Sequence, residues 1–238
     1  MSLAGKRIVL IGGGSGIGFR VARRVIAEGA RVVIGSRDGT RLASAVETLG
    51  AAATAHPVDT SDKTSIRRFF DQLDGIDHLF ISAASYTLGP IDAISDEDAE
   101  SPFRSKFWGQ YWTVRDALPH LAEDGSVTLM AGAAGARPIK GVPAYIACNS
   151  AIEGLGRALA VDLSPVRVNV ISPGTIDGHL WQGRPQEVRE AAFAGFSEIS
   201  TVGRPGTEDE VADCVLFLMK NGFVTGSTLY PDGGFVLR

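Results

Sequence analysis

Five short runs in this chain are apolar on both faces, and helical patterns lie between them. The runs are "RIVLI" (Arg7 to Ile11), "RVVIG" (Arg31 to Gly35), "HLFIS" (His78 to Ser82), "SVTLMA" (Ser126 to Ala131) and "VRVNVI" (Val166 to Ile171). A strand with one wet face alternates apolar and polar residues, whereas a strand apolar throughout must be covered on both sides. A weaker strand, "AAATAHP", falls between the second and third runs, and "STLYP" lies near the end. Helical spacing intervenes at Phe19–Glu28, Ser61–Leu73, Phe103–Leu121, Tyr145–Leu163 and Glu208–Met219. This order predicts an α/β fold: a doubly wound parallel sheet with helices on both faces. No linker, repeat or low-complexity stretch divides the 238 residues, so one domain spanning residues 1–238 is expected.

Composition narrows the function by exclusion. The net charge of −4 comes with no basic cluster, which argues against nucleic acid as a partner. His56, His78, His120 and His179 show no ligand spacing, so no metal site is expected. Cys148 and Cys214 lie far apart in helical patterns, which points away from a disulfide and towards a reduced, cytoplasmic setting. The apolar run near Met1 breaks into glycine too early for a signal peptide, and no segment has the length of a membrane span.

The chemistry begins in "VLIGGGSGIGFRVARRVIAEG", which joins the first strand to the first helix. Glycines there permit a tight turn and let backbone N–H groups approach a pyrophosphate at the helix N-terminus. Gly12, Ser15, Gly16, Ile17 and Gly18 are therefore candidate cofactor-binding residues. The alternative is a turn that merely packs strand against helix. At the end of the second strand, "IGSRDGTRL" places Ser36 and Arg37 where an NAD site usually has a carboxylate. Uncharged Ser36 and cationic Arg37 suit the 2′-phosphate of NADP, unless Arg37 is only a solvated surface residue beside Asp38. Asp59, after the weak third strand, is a candidate acceptor for the adenine amino group.

Together these features resemble the short-chain dehydrogenase/reductase family, whose fold is the Rossmann type, across nearly the whole chain. The glycine loop has that family's G-x-x-x-G-I-G spacing, with Ile11 where a threonine usually precedes it. "VNVISPGTI" resembles the family's sixth-strand signature, which implies that Pro173, Gly174 and Ile176 lie against the nicotinamide. "GRPGTEDEVADCVLFLMKNGFVTGSTLYPDGG" is similar to its C-terminal segment. The turn after the fourth strand is "ISAA" (Ile81 to Ala84) in place of Asn-Asn-Ala-Gly, which puts Ala83 among the cofactor contacts. The resemblance also implies a homotetramer or homodimer.

Family members act through asparagine, serine, tyrosine and lysine. Here the tyrosine matches Tyr145, while the lysine position is Asn149, the serine position Gly132 and the asparagine position Lys106. Lysine and asparagine have changed places, so the candidate catalytic set is Tyr145, Lys106 and Asn149. On this reading Lys106 acidifies the Tyr145 phenol, and Asn149 bonds a ribose hydroxyl or holds a relay water. The expected activity is NADP-dependent transfer of a hydride between nicotinamide and a small carbonyl or alcohol. The rival is a dinucleotide-binding protein with little catalysis, serving as a redox sensor or an assembly subunit. Ser82, Ser85 or Thr87 could supply the missing hydroxyl. Between Asp177 and Arg204 lies a segment resembling the family's substrate lid, with Leu180, Trp181, Phe193 and Phe196 as apolar lining. The same stretch also reads as an ordinary amphipathic helix over Pro185–Ile199.

Overall fold

A chain with five doubly apolar strands must place helices on both sides of its sheet, and the structure does so. The computed structural model describes residues 1–238. Its elements run in the order β1 (Arg7–Ile11), α1 (Gly16–Ala27), β2 (Arg31–Ser36), α2 (Gly39–Leu49), β3 (Ala53–Pro57), α3 (Lys63–Phe70) and β4 (Ile76–Ile81). There follow α4 (Asp96–Pro102), α5 (Trp108–Ala117), β5 (Leu121–Met130), α6 (Pro143–Asp162) and β6 (Arg167–Ile171). The remainder is β7 (Ile176–Asp177), α7 (His179–Gln182), α8 (Gln186–Ile199), β8 (Gly206–Thr207), α9 (Glu208–Lys220) and β9 (Thr228–Leu229). Seven strands form one parallel sheet in the order β3-β2-β1-β4-β5-β6-β9, and β7 pairs with β8 apart from it.

The expected sheet is present, with altered limits. The strand containing "SVTLMA" starts earlier, because Leu121 pairs with Ile76 across an irregularity between Ile76 and His78. The closing strand shrinks to Thr228–Leu229, beside Val170 and Ile171. Two apolar clusters, one on each side of the sheet, hold 21 and 20 buried residues, so neither face is left wet. No helix is long and apolar enough to cross a membrane.

The expected helix over Phe103–Leu121 is instead the end of a longer one. It starts at Asp96, is interrupted by a π-helical turn over Phe103–Phe107, and ends at Ala117. Pro102 has no N–H to offer the carbonyl of Asp98, and the Ser101 hydroxyl bonds that carbonyl instead at 2.7 Å. The wider turn that follows contains Lys106 and leaves it buried, although lysine is ordinarily an exposed residue. Because all seven strands are parallel, their C-terminal ends gather on one edge of the sheet. The turns carrying Gly12, Ser36, Asp59, Ala83, Gly132 and Pro173 follow from that edge.

Candidate active site

The groove along that edge has a volume of about 840 Å³. Gly12, at φ +98°, turns the chain beneath the end of β4, and a Cβ there would lie 2.7 Å from Ala83 N. Gly16 is also left-handed, at φ +58°. Helix α1 then begins with no side-chain cap on its N-terminus and no acidic residue in its first turn. The N–H groups of Gly16, Ile17 and Gly18 are thus unpaired donors, and these residues line the groove. Helix termini of this kind attract anions.

At one end of the groove lie Ser36, Arg37, Arg41 and Asp59. Asp38 caps α2 by accepting from Arg41 N at 3.0 Å, and its carboxylate lies 3.6 Å from the Arg41 guanidinium. Burial raises the Asp59 carboxyl, but bonds from the Ser61 hydroxyl and N–H and the charge of Arg37 outweigh it and lower the group. Arg41 is a second cation beside Arg37 that the sequence reading left unused. Its signal was spacing, because it stands in the first turn of a helix whose start faces the same groove.

At the other end lie Ala83, Ser105, Met130 and Ile176. Of the twelve residues expected to contact the cofactor, ten line this groove, and Pro173 and Gly174 do not. The backbone of the turn carrying those two is bonded to neighbouring segments. The carbonyl of Pro173 accepts from Ala133 N at 2.9 Å, and Gly174 N donates to Pro231 O at 3.2 Å. Gly174 packs against Phe196 and Asp232, and Ile176 lines the groove.

Tyr145, Lys106 and Asn149 meet behind that end. Lys106 is 4 % exposed and Asn149 is fully buried. Lys106 Nζ donates to Ala131 O at 2.8 Å and to Asn149 Oδ1 at 2.5 Å. An ammonium has no acceptor, so the amide oxygen must face it, and Nδ2 is left as a buried donor without a partner. The Asn149 oxygen thus accepts from Lys106, and the amide Nδ2 is the donor it has left to offer a ribose hydroxyl or a water. Tyr145 lies one turn earlier on α6, and Lys106 Nζ is 5.1 Å from the centre of its ring. Burial raises the Tyr145 phenol, but the Lys106 ammonium, the Tyr86 hydroxyl and the Asn149 amide outweigh it and hold the phenol below its usual value.

Gly132 is where the family serine would stand, and a Cβ there would lie 3.1 Å from Tyr145 Oη and 3.4 Å from Asn149 Nδ2. Of the three side chains that could supply that hydroxyl, that of Ser82 is engaged, and the other two sit on a loop anchored through its backbone. Ser82 donates to Ile11 O at 3.3 Å, and the backbones of Ser85 and Thr87 are tied to Ser105 and Ser101. The residue between those two, Tyr86, stacks obliquely on Tyr145 with ring centres 4.9 Å apart. Sequence reading passed over it, although it is the one aromatic in the loop "ISAASYTLG".

The segment over Asp177–Arg204, the expected cover, contains α7 and α8, and it meets the groove at Gly178, His179 and Leu180. Leu180 lines the groove, while Trp181 meets Phe193 edge-on at 5.4 Å between ring centres. Phe196 does not join that lining. It stacks on Phe235 in a small buried cluster with Ala133. Glu208, at the start of α9, accepts from His179 N at 2.6 Å and so holds the beginning of the cover beside the glycine loop.

Comparison with known proteins follows the same lines. Residues 12–236 match the family model described as enoyl-(acyl carrier protein) reductase. The short-chain dehydrogenase/reductase MalC of Malbranchea aurantiaca is 30% identical over 255 residues, which cover 99% of this chain and 96% of that protein. Its structure, described as a reductase/Diels-Alderase, superposes with a TM-score of 0.92 at 28% identity, covering 99% of this chain and 98% of that one. Galactitol 2-dehydrogenase of Agrobacterium fabrum is 30% identical over 257 residues, 98% of each protein. A small-chain dehydrogenase solved in complex with NADPH superposes with a TM-score of 0.83 at 26% identity, over 98% of this chain and 100% of that one.

Proposed function

The chain belongs to the short-chain dehydrogenase/reductase family, and from that premise we propose that it uses NADP to interconvert a small carbonyl compound and its alcohol. The observation that carries this reading is the Lys106 ammonium, buried beside the Tyr145 phenol although it arrives from a different helix than the family's lysine. The bound cofactor supplies or accepts the hydride. The groove fits such a group: uncapped N–H donors at α1 face the place for a pyrophosphate, and Arg37 and Arg41 can both bond a 2′-phosphate. Free Oδ2 of Asp59 suits the adenine amino group, since Oδ1 takes both bonds from Ser61.

Tyr145 Oη then gives its proton to the carbonyl oxygen in reduction and takes one back in oxidation. Lys106 lowers the cost of the phenolate, and Asn149 holds Lys106 in place while directing Nδ2 towards the same site. Reduction needs the protonated phenol, so its rate falls as pH rises through the lowered Tyr145 value, and oxidation gains over the same interval. A homotetramer, or failing that a dimer, in the cytoplasm is the accompanying proposal. Exposed Trp108 on α5 and Val161 on α6 give copies of the chain apolar surface to cover.

A second reading, a dinucleotide-binding protein with little turnover, is favoured by Gly132, which offers no hydroxyl. One experiment separates the two. NADPH binding is followed by fluorescence, and its oxidation is measured with a panel of aliphatic and aromatic aldehydes, ketones and dicarbonyls. Under the first reading the wild type turns over, and Tyr145→Phe and Lys106→Met each lower kcat by about 10²-fold or more while still binding NADPH. Tight binding with no turnover across the panel makes the second reading correct.

A further inference from the structure

Tyr86 has no counterpart in the catalytic set considered so far, yet its position is built with care. The residues on both sides of it are tied to the helix that carries Lys106. Ser85 N donates to Ser105 Oγ at 3.1 Å, the Ser105 hydroxyl donates to Ser85 O, and Thr87 N donates to Ser101 Oγ at 2.9 Å. Ser105 immediately precedes Lys106 and Ser101 lies four residues earlier, so one stretch of helix sets both the cation and the loop. Tyr86 is thereby held against Tyr145, with ring centres 4.9 Å apart and planes inclined by 33°. Lys106 Nζ is 5.8 Å from the centre of the Tyr86 ring and 5.1 Å from that of Tyr145.

Gly132 is crowded as well. A serine there has no room unless Tyr145 moves, because even its Cβ would come within 3.1 Å of the phenol oxygen. A carbonyl oxygen presented to Tyr145 therefore has to find its second donor elsewhere. We propose that Tyr86 is a catalytic residue: from its place against the Tyr145 ring, its hydroxyl donates to the reacting carbonyl oxygen in place of the hydroxyl that position 132 lacks. This rests on the oxidoreductase reading above. In reduction the carbonyl π bond breaks, its carbon gains the hydride of NADPH, and its oxygen gains the Tyr145 proton. Tyr86 keeps its own proton throughout, and Tyr145 is reprotonated from water.

The two phenols are suited to different tasks. Burial and the neighbouring Tyr145 push the Tyr86 phenol well above its usual value, although Arg184 of the cover opposes this. Tyr145 is lowered, with Cys148 from its own helix opposing the change. Two titratable groups driven apart in this way divide into a proton carrier and a fixed donor.

The test is a tyrosinate absorbance titration of the full chain, with and without bound NADP, on the wild type, Tyr86→Phe and Tyr145→Phe. The wild type is expected to show one phenol ionising below about 10, which disappears in Tyr145→Phe. In Tyr86→Phe, which keeps the ring, that phenol should titrate at higher pH, and kcat with the carbonyl panel should fall by about 10²-fold with NADPH binding unchanged. Ser105→Ala, which frees the loop without touching either ring, should move both readouts the same way by less. If Tyr86→Phe leaves both the titration and kcat unchanged, Tyr86 only packs and the proposal is wrong. If the wild type shows no low-titrating phenol and reduces nothing in the panel, the parent reading fails, and Tyr86 fails with it.

Discussion

At position 132 it is the missing side chain that shapes the site. Taken alone, a glycine in place of a catalytic serine signifies loss. In the structure it signifies room, because Tyr145 Oη and the Asn149 amide both close on the space a side chain would fill. Restoring the family residue should therefore harm the protein. Gly132→Ser is expected to lower kcat by about tenfold or more, since displacing a proton donor by a fraction of an ångström is costly. Steady-state kinetics with a reduced carbonyl checks this, and a gain in kcat would show that the site lacks a hydroxyl and nothing else. Lys106 and Asn149 teach the same lesson in reverse. Each is misplaced by family pattern, yet the two are bonded to each other at 2.5 Å.

At the scale of elements, helix ends and interruptions do the positioning. Pro102 and the π-helical turn after it turn Lys106 inward, and Ser101 keeps the freed Asp98 carbonyl satisfied. Helix α9 begins with a capping box: Thr207 Oγ1 accepts from Glu210 N, and the Glu210 carboxylate accepts from Thr207 N. Thr207→Ala should cost about 1 kcal/mol in chemical denaturation. It should also loosen the cover, because the neighbouring Glu208 holds His179 N. Arg204, together with Thr207 N–H, lowers the Glu210 carboxyl to about 2, below its usual 4.5. A carboxyl lowered on folding stabilises above its unfolded value. That contribution should be complete above about pH 4.5 and lost as pH falls towards 2, a loss that denaturation of Glu210→Gln would not show.

At the scale of the molecule, the proposed catalysis depends on how closely helices lie on the sheet. Helix α6 carries both Tyr145 and Asn149, and it crosses β6 at Gly156, where a Cβ would overlap Val170 Cγ2. Gly156→Ala should therefore lift the helix or strain the core, at a cost of about 1–3 kcal/mol by chemical denaturation. It should also weaken activity from a distance, since the two site residues ride on the same helix. An unchanged denaturation midpoint would mean that α6 shifts freely, and then its fit to the sheet could not be what places Tyr145.

From the sequence alone follow the doubly wound sheet, the glycine loop before α1 and ten of the residues that line the groove. Each is local: a strand apolar on both faces and a glycine run before a helix carry their meaning within a few neighbours. The exchange of Lys106 and Asn149 was legible as a pattern, but their contact was not, since 43 residues separate them and a π-helical turn decides which way the lysine points. Tyr86 was not legible at all, because its place depends on its neighbours Ser85 and Thr87 bonding serines 20 and 14 residues away from them in sequence. Nor could sequence show that the backbone groups of Pro173 and Gly174 bond Ala133 and Pro231. Periodicity sets which surfaces are buried, whereas the tertiary structure decides which polar groups meet, because only packing converts distance along the chain into distance in space.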